Sequence, residues 1–176
     1  VFPAVPTQFN EDFSLNIEGT QKHVEALLSE GVHGLVMLGT IGENCSLSLE
    51  EKIQILHATK EVSQDSVPLI NGISEFTTSN ACETAIAAEK VGVDGIMVMP
   101  AMVYNSDRRE TVNHFRKVAE ATELPIMCYN NPPVYKVDIT PEMFEDLADV
   151  ENIVCIKEAA ADTRRITDLF NKLDDR

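Results

Sequence analysis

Short apolar runs alternate with amphipathic segments along this chain of 176 residues. The apolar runs are rich in β-branched side chains and bounded by glycine or proline. This pattern is typical of strands that are buried on both faces of a parallel sheet. The predicted strands occupy residues 2–6, 33–38, 67–73, 94–99, 125–129 and 152–157.

Helical patterns fill the intervals between these strands. They predict helices over residues 17–29, 48–62, 77–91, 106–121, 140–148 and 162–173. Ser48 and Glu51 have the spacing of a capping box, and Pro141 suits a first helical turn. The sequence GVHG at 31–34 is echoed by GVDG at 92–95, each between a helix and a strand. A strand and its return helix recur about every 30 residues, so the chain holds six βα units.

Two α/β architectures are compatible with six parallel βα units: an open doubly wound sheet and a (β/α)8 TIM barrel. A nucleotide-binding open sheet would carry a glycine-rich fingerprint after its first strand, where this chain reads PTQF at residues 6–9. A barrel places its chemistry at the carboxyl ends of its strands, and polar residues cluster there. We therefore predict a TIM barrel that is truncated after about six βα units, with residues 1–176 forming its N-terminal part.

Charge and composition exclude several classes of function. The chain has 14 basic and 29 acidic residues, a net charge of −15, which disfavours partners such as nucleic acid or an anionic membrane. No apolar run approaches the roughly 20 residues of a membrane-spanning helix, and no signal peptide is visible. The four cysteines lack CxxC spacing, which predicts free thiols and a cytoplasmic location. The four histidines show no metal-binding spacing, and those on helices are expected to face solvent.

Lys157 is the sharpest candidate for chemistry, because it ends the apolar strand at 152–157. An amine at a desolvated barrel mouth is more readily neutral and can attack a carbonyl to form a Schiff base. A lysine in this position can equally leave the strand end toward solvent and pair with Glu158. The position of Lys157 alone does not decide between a catalytic amine and a lysine that is directed toward solvent.

Two other features lie at strand ends. Tyr129 ends the preceding strand, and neighbouring strands lie about 5 Å apart, so its phenol could relay protons beside Lys157. A strand-end tyrosine can also be a packing residue. The loop at residues 39–44 contains Gly39 and Gly42, which let backbone N–H groups converge on an anion, and Thr40 adds a hydroxyl. No GK[ST] sequence follows, so the loop is not a P-loop.

Three motifs taken together resemble one family. GTIGE at 39–43 resembles the GTTGE loop of the dihydrodipicolinate synthase/N-acetylneuraminate lyase family. YNNP at 129–132 resembles its YNxP motif, and IKE at 156–158 resembles the motif around its Schiff-base lysine. The motifs occur in family order, and the resemblance covers the whole chain. It implies a lyase with an eightfold barrel, a C-terminal helical domain that lies outside this chain, and a homo-oligomer, either a tetramer or a dimer.

The same resemblance implies roles for individual residues. Lys157 would form the imine, Tyr129 would relay protons, and Thr40 would hydrogen-bond to that tyrosine or to substrate. Backbone groups around Gly39, Thr40 and Ile41 would hold the substrate carboxylate. Tyr104 resembles the tyrosine that this family contributes across a dimer interface. No cofactor and no metal are implied, since the substrate is bound covalently.

Two departures from the synthases concern the substrate. Ile41 stands where they carry a second threonine of a proton relay, and no arginine follows YNNP, although Lys136 offers a charge. Residues 100–111, 129–140 and 162–171 are similar to the branch that deaminates Δ1-pyrroline-4-hydroxy-2-carboxylate. We therefore expect a lyase acting on a 2-keto acid or cyclic imine, with that deaminase as first choice. The alternatives are a 4-hydroxy-tetrahydrodipicolinate synthase, a keto-sugar-acid aldolase and a non-catalytic carboxylate-binding barrel.

Overall fold

The sheet is parallel throughout, and its strands follow the order of the chain. The computed structural model describes residues 1–173. Each strand pairs in parallel with the next one in sequence, so the order is β1-β2-β3-β4-β5. The strands are β1 (Leu35–Met37), β2 (Leu69–Ile73), β3 (Gly95–Val98), β4 (Ile126–Asn130) and β5 (Ile153–Glu158).

The helices lie within a few residues of their predicted bounds. The main ones are α1 (Ile17–Ser29), α2 (Leu49–Ser63), α3 (Thr78–Val91), α4 (Arg108–Glu120), α6 (Pro141–Asp146) and α7 (Arg165–Leu173). Helix α2 begins at the predicted capping box of Ser48 and Glu51. Short elements that periodicity cannot reveal are α5 (Pro132–Tyr135) and the 3-10 turns Thr40–Gly42 and Asn44–Ser46.

The first predicted strand, at residues 2–6, is present only as a single parallel bridge between Ala4 and Val36. Val5 N–H donates to the Val36 carbonyl at 2.9 Å, and Val36 N–H donates to the Pro3 carbonyl at 2.9 Å. Pro3 and Pro6 have no N–H to add to the ladder. The segment therefore lies beside β1 as a barrel's first strand would, with fewer hydrogen bonds.

Helices cover one face of the sheet. The larger apolar core joins strand residues such as Leu35 and Ile73 to helix residues such as Phe115. The other face, called the inner face below, carries a smaller cluster that includes Val36 and Met97. A doubly wound sheet has helices on both faces and a strand order that reverses. One-sided helices and a sequential order instead match consecutive βα units of a barrel.

Strand β5 contains a β-bulge opposite the start of β4. Ile126 pairs with Ile153, but Met127 pairs with Cys155, so that Val154 has no partner in the ladder. Val154 is 64% exposed. The bulge shifts the register by one residue for the rest of the strand.

An apolar cavity of about 300 Å³ lies beside β5, between α6 and α7. Ile153 and Ile156 of β5 and Leu169 of α7 line it, and Phe170 at its rim is 70% exposed. An exposed apolar groove next to a sheet edge is a surface on which a further element packs. In a barrel, the βα unit after β5 would occupy this side.

His114 is buried, which contradicts the expectation that the helical histidines face solvent. It lies on α4 and is 3% exposed. One ring nitrogen lies 3.0 Å from the Thr78 hydroxyl and the other 3.0 Å from the Met99 carbonyl oxygen. Burial lowers the pKa of His114, and the Met99 carbonyl opposes this shift only in part.

We expect the stability of the protein to fall on acidification because of His114. Its pKa is lower in the folded than in the unfolded state, so the unfolded chain binds the proton first. The loss therefore begins near the ordinary histidine value of about 6.5 and continues toward the lower folded pKa. Urea unfolding of the wild type and His114→Gln at several pH values checks this. If the free energy of unfolding of the wild type fell below that pH no more steeply than that of His114→Gln, the expectation would be wrong.

Candidate active site

The side chains of Lys157 and Tyr129 meet at the carboxyl ends of β4 and β5. They are register partners, so both lie on the inner face. The Lys157 Nζ lies 3.9 Å from the centroid of the Tyr129 ring and 3.9 Å from Met97 Sδ. An ammonium over an aromatic face is held by the ring quadrupole. The amine therefore points over the inner face, near the carboxyl ends of the strands, and not along the strand into solvent.

Glu158 faces the opposite side and does not pair with Lys157. Its carboxylate accepts hydrogen bonds from the Asn130 amide at 3.0 and 3.2 Å. Asn130 also donates to Asp138 at 3.0 Å, and Arg165 binds Asp138 at 2.7 and 2.8 Å. The Arg165 guanidinium lowers the pKa of Asp138. This network fixes the backbone that follows Lys157, so Asn130 and Glu158 support the site from behind.

The loop after β1, at residues 39–44, presents backbone donors that the described residues leave unused. Residues Thr40–Gly42 form a 3-10 turn, and no acceptor for the N–H groups of Thr40 and Ile41 is found within residues 1–173. The Thr7 hydroxyl donates to the Gly42 carbonyl at 2.7 Å, which ties the turn to the first segment. Adjacent free N–H groups in a tight turn are a binding site for a carboxylate.

Gly72 of β2 sets how closely this loop approaches the sheet. A Cβ at Gly72 would lie 2.2 Å from the Leu38 carbonyl oxygen and 2.8 Å from the Gly39 nitrogen. Only glycine permits such an approach of two backbones. Leu38 itself has a positive φ of 55°, so the loop turns sharply as it leaves β1.

Comparisons with known proteins identify the family of this chain. The model of the dihydrodipicolinate synthetase family matches residues 1–176. The chain belongs to the dihydrodipicolinate synthetase family. It is 39% identical to a 4-hydroxy-tetrahydrodipicolinate synthase of Desulforamulus reducens, over 96% of this chain and 57% of that protein. It is 34% identical to one of Methanothrix thermoacetophila, over 100% of this chain and 59% of that protein.

Solved structures of the dihydrodipicolinate synthetase family have the same fold. A dihydrodipicolinate synthase from Bacillus anthracis has a TM-score of 0.92 at 31% identity, covering 98% of this chain and 59% of its own. A prophage protein of the family from E. coli K12, solved with pyruvate, has a TM-score of 0.91 at 29% identity, covering 98% and 58%. The prediction of TIM-barrel βα units is confirmed. The chain spans slightly less than three-fifths of the length of these proteins.

Thr40 does not make the hydrogen bond to Tyr129 that the family resemblance suggested. Its hydroxyl is bonded to the phenol of Tyr135 on α5. The Tyr129 hydroxyl instead accepts a hydrogen bond from the Asn131 amide at 3.0 Å. Sequence reasoning missed Tyr135 because it sits in an irregular segment beside two prolines. The feature of the sequence that could have indicated its role is the presence of a third tyrosine close after the YNNP motif.

Two further expected residues lie apart from Lys157. Tyr104 is 83% exposed and borders a shallow cavity with Phe76. Within residues 1–173, no hydrogen bond or ring contact joins it to Lys157, so its role stays a prediction. Lys136 is exposed, and its ammonium donates to the Pro133 carbonyl at 3.0 Å. It is held within its own turn and offers no charge to the inner face.

Glu75, two residues after the end of β2, contacts the helix layer and not the inner face. Its carboxylate lies 2.5 Å from Lys52 Nζ, with side-chain exposures of 10% and 5%. The Thr84 hydroxyl donates to the same carboxylate at 3.2 Å. Ser74 is buried, and its carbonyl accepts from the Cys45 thiol at 3.3 Å. These residues fix α2 and α3 against the sheet.

Neither a metal site nor a membrane span emerges within the described part of the chain. Over residues 1–173, no group of three or more His, Cys, Asp or Glu side chains is placed to hold a metal ion. Within the same range, every helix is too short or too polar to cross a membrane.

Proposed function

We propose that the chain carries the catalytic centre of a class I lyase in which Lys157 forms a Schiff base with a 2-oxo acid. One observation carries the proposal: the Lys157 amine stands over the Tyr129 ring on the inner face. The free N–H groups of Thr40 and Ile41 supply a place for the substrate carboxylate. Membership of the dihydrodipicolinate synthetase family supports the same chemistry.

The chemistry follows from these groups. The lone pair of the Lys157 nitrogen attacks the C2 carbonyl carbon, and the π electrons move to oxygen. Loss of that oxygen as water leaves a C=N bond, and both hydrogens of the water come in net from the amine. A hydroxyl that accepts one proton and returns another is needed, and the Tyr129 phenol is our candidate. Once the imine nitrogen has taken up a proton from solvent, it withdraws electrons from C3. A proton then leaves C3 for water, and the C–H electrons form the C2=C3 bond of an enamine without an external cofactor.

Pyruvate is the proposed imine-forming substrate. The relatives are named 4-hydroxy-tetrahydrodipicolinate synthase, and the E. coli K12 protein was solved with pyruvate. These names favour the synthase over the deaminase that the sequence had placed first. We therefore reverse that order, with aspartate semialdehyde as the acceptor. The deaminase stays as second candidate, because Ile41 is exposed at the mouth and no guanidinium follows the YNNP motif.

The complete enzyme is proposed to be larger than this chain. The segment 1–176 would be the N-terminal part of a barrel that needs two further βα units and a C-terminal helical domain. The share of the relatives' length that it spans supports this division. A homo-oligomer is also proposed, in which Tyr104 approaches a neighbouring subunit. The experiments below therefore use the full-length gene product.

Pyruvate with borohydride tests the Schiff base directly. Borohydride reduces the imine to a stable amine, so we expect one covalent adduct per subunit, located by peptide mass spectrometry on Lys157. An adduct on another lysine, or none from any 2-oxo acid tried, would reject the proposal. Consumption of aspartate semialdehyde with pyruvate, compared with ammonia release from Δ1-pyrroline-4-hydroxy-2-carboxylate, then decides the substrate order.

A further inference from the structure

Tyr135 is directed inward by the turn that contains it. It is 9% exposed, whereas its neighbour Val134 is 53% exposed. The Asn131 carbonyl accepts the N–H groups of both Val134 and Tyr135, and Lys136 closes the turn with a φ of 66°. The side chain joins the cluster of Met97 on the inner face. Its position is therefore fixed by backbone hydrogen bonds as well as by packing.

This one side chain contacts two of the predicted catalytic groups. Its hydroxyl is hydrogen-bonded to the Thr40 hydroxyl. Its ring meets the Tyr129 ring edge-on, with centroids 5.6 Å apart and planes at 84°. Tyr129 in turn lies beneath the Lys157 amine. Contacts thus run without a gap from Thr40 through the two tyrosines to Lys157.

The phenol remains a neutral hydroxyl at the pH of the cell. Burial raises the pKa of Tyr135, and the hydrogen bond with Thr40 offsets this only in part. A neutral phenol can donate to Thr40 or accept from it. The exposed alkyl side chain of Ile41 can do neither, so Tyr135 is the group that holds the Thr40 hydroxyl in one direction.

We propose that Tyr135 is a positioning residue of the reaction. Its hydroxyl aims the hydroxyl of Thr40, and its ring fixes Tyr129 under the Lys157 amine. This inference rests on the imine chemistry proposed above. Ile41 has no hydroxyl that could orient Thr40. Tyr135 makes that contact in its place, from the same chain.

The test is the rate of imine formation in Tyr135→Phe, which keeps the ring and removes the hydroxyl. Samples are quenched with borohydride at successive times after mixing with pyruvate. We expect the rate at saturating pyruvate to fall about tenfold or more, less than the full effect of a general acid–base group. The half-saturating pyruvate concentration should change little, because the carboxylate donors are backbone groups. If Tyr135 had a purely structural role, the rate at saturating pyruvate and the half-saturating concentration would both change.

Three further variants complete the design. Thr40→Val should slow imine formation as Tyr135→Phe does, and the double variant should be no slower than the worse single one, since both remove the same contact. Thr40→Ser should restore most of the rate. Val134→Ala, at the exposed neighbouring position, should match the wild type.

The outcomes separate this inference from the function on which it rests. If the wild type traps pyruvate on Lys157 and Tyr135→Phe traps it at the same rate, the role of Tyr135 is rejected and the Schiff base stands. If Tyr135→Phe does not fold, Thr40→Val decides, because Thr40 lies on an exposed turn; a wild-type rate there also rejects the role. If the wild type forms no adduct at all, both proposals fail.

Discussion

Replacing Lys157 by methionine is expected to lower turnover at least about 10³-fold, or ~4 kcal/mol of activation free energy. Methionine has a similar length and keeps an apolar contact with the Tyr129 ring and Met97, so packing on the inner face should persist. The variant lacks the nucleophilic nitrogen, and no carbon–nitrogen bond can form. Steady-state assays with pyruvate and aspartate semialdehyde measure the loss of turnover, and borohydride trapping measures the loss of imine formation.

Two comparisons make this result specific. Lys157→Arg keeps a positive charge over Tyr129 but has no amine that forms an imine, so it should be as inactive as the methionine variant. Lys136→Met, which removes an exposed ammonium, should keep the wild-type imine rate. If Lys157→Met bound pyruvate as tightly as the wild type, and borohydride trapped no adduct on the wild type, the non-catalytic carboxylate-binding barrel would replace the lyase.

Lys52→Met is expected to destabilise the protein by about 3 to 5 kcal/mol. The substitution leaves the Glu75 carboxylate buried with the Thr84 hydroxyl as its remaining hydrogen-bond partner. An uncompensated charge between α2, α3 and the sheet costs far more than the lost attraction itself. Urea unfolding at neutral pH, followed by circular dichroism, gives the change in the free energy of unfolding.

Lys22→Met is the matched control, because Lys22 pairs with Glu18 on the surface of α1 with side-chain exposures of 70% and 78%. Solvent screens that pair, so its loss should not change the unfolding midpoint measurably. Lys52→Met combined with Glu75→Leu should recover much of the stability, since it removes both charges. If the single and double variants were equally unstable, lost packing at position 52 would be the cause.

The regular part of the fold could be read from the sequence because each strand and helix has its own periodicity. The segment at 2–6 looked like a full strand, but Pro3 and Pro6 limit it to one bridge. Helix α5 has four residues, too few for a helical pattern to emerge. Burial on a helix is also hidden where a polar residue is satisfied by tertiary contacts, as His114 is by Thr78 and Met99.

The pairing of Lys157 with Tyr129 followed from local information, because the ends of successive parallel strands lie side by side. The partners of Thr40 and Glu75 did not. Tyr135 reaches Thr40 across 95 positions of sequence, and Glu75 meets Lys52 across 23. Such contacts depend on how the loops fold back over the sheet, which neither composition nor periodicity encodes.

The bulge at Val154 determines which changes in the length of β5 are tolerated in the evolution of this chain. If Val154 instead paired with Met127, the register begun by Ile126 and Ile153 would run on, and Tyr129 would face Ile156 in place of Lys157. Because side chains alternate, the amine would then turn toward the helix layer. A gene can lose or gain codons in the surface loops at little cost. Loss of one codon between Ile153 and Lys157 would remove the bulge and keep the lysine opposite Tyr129, whereas one codon gained there would turn the amine away from the inner face while leaving the lysine in the sequence.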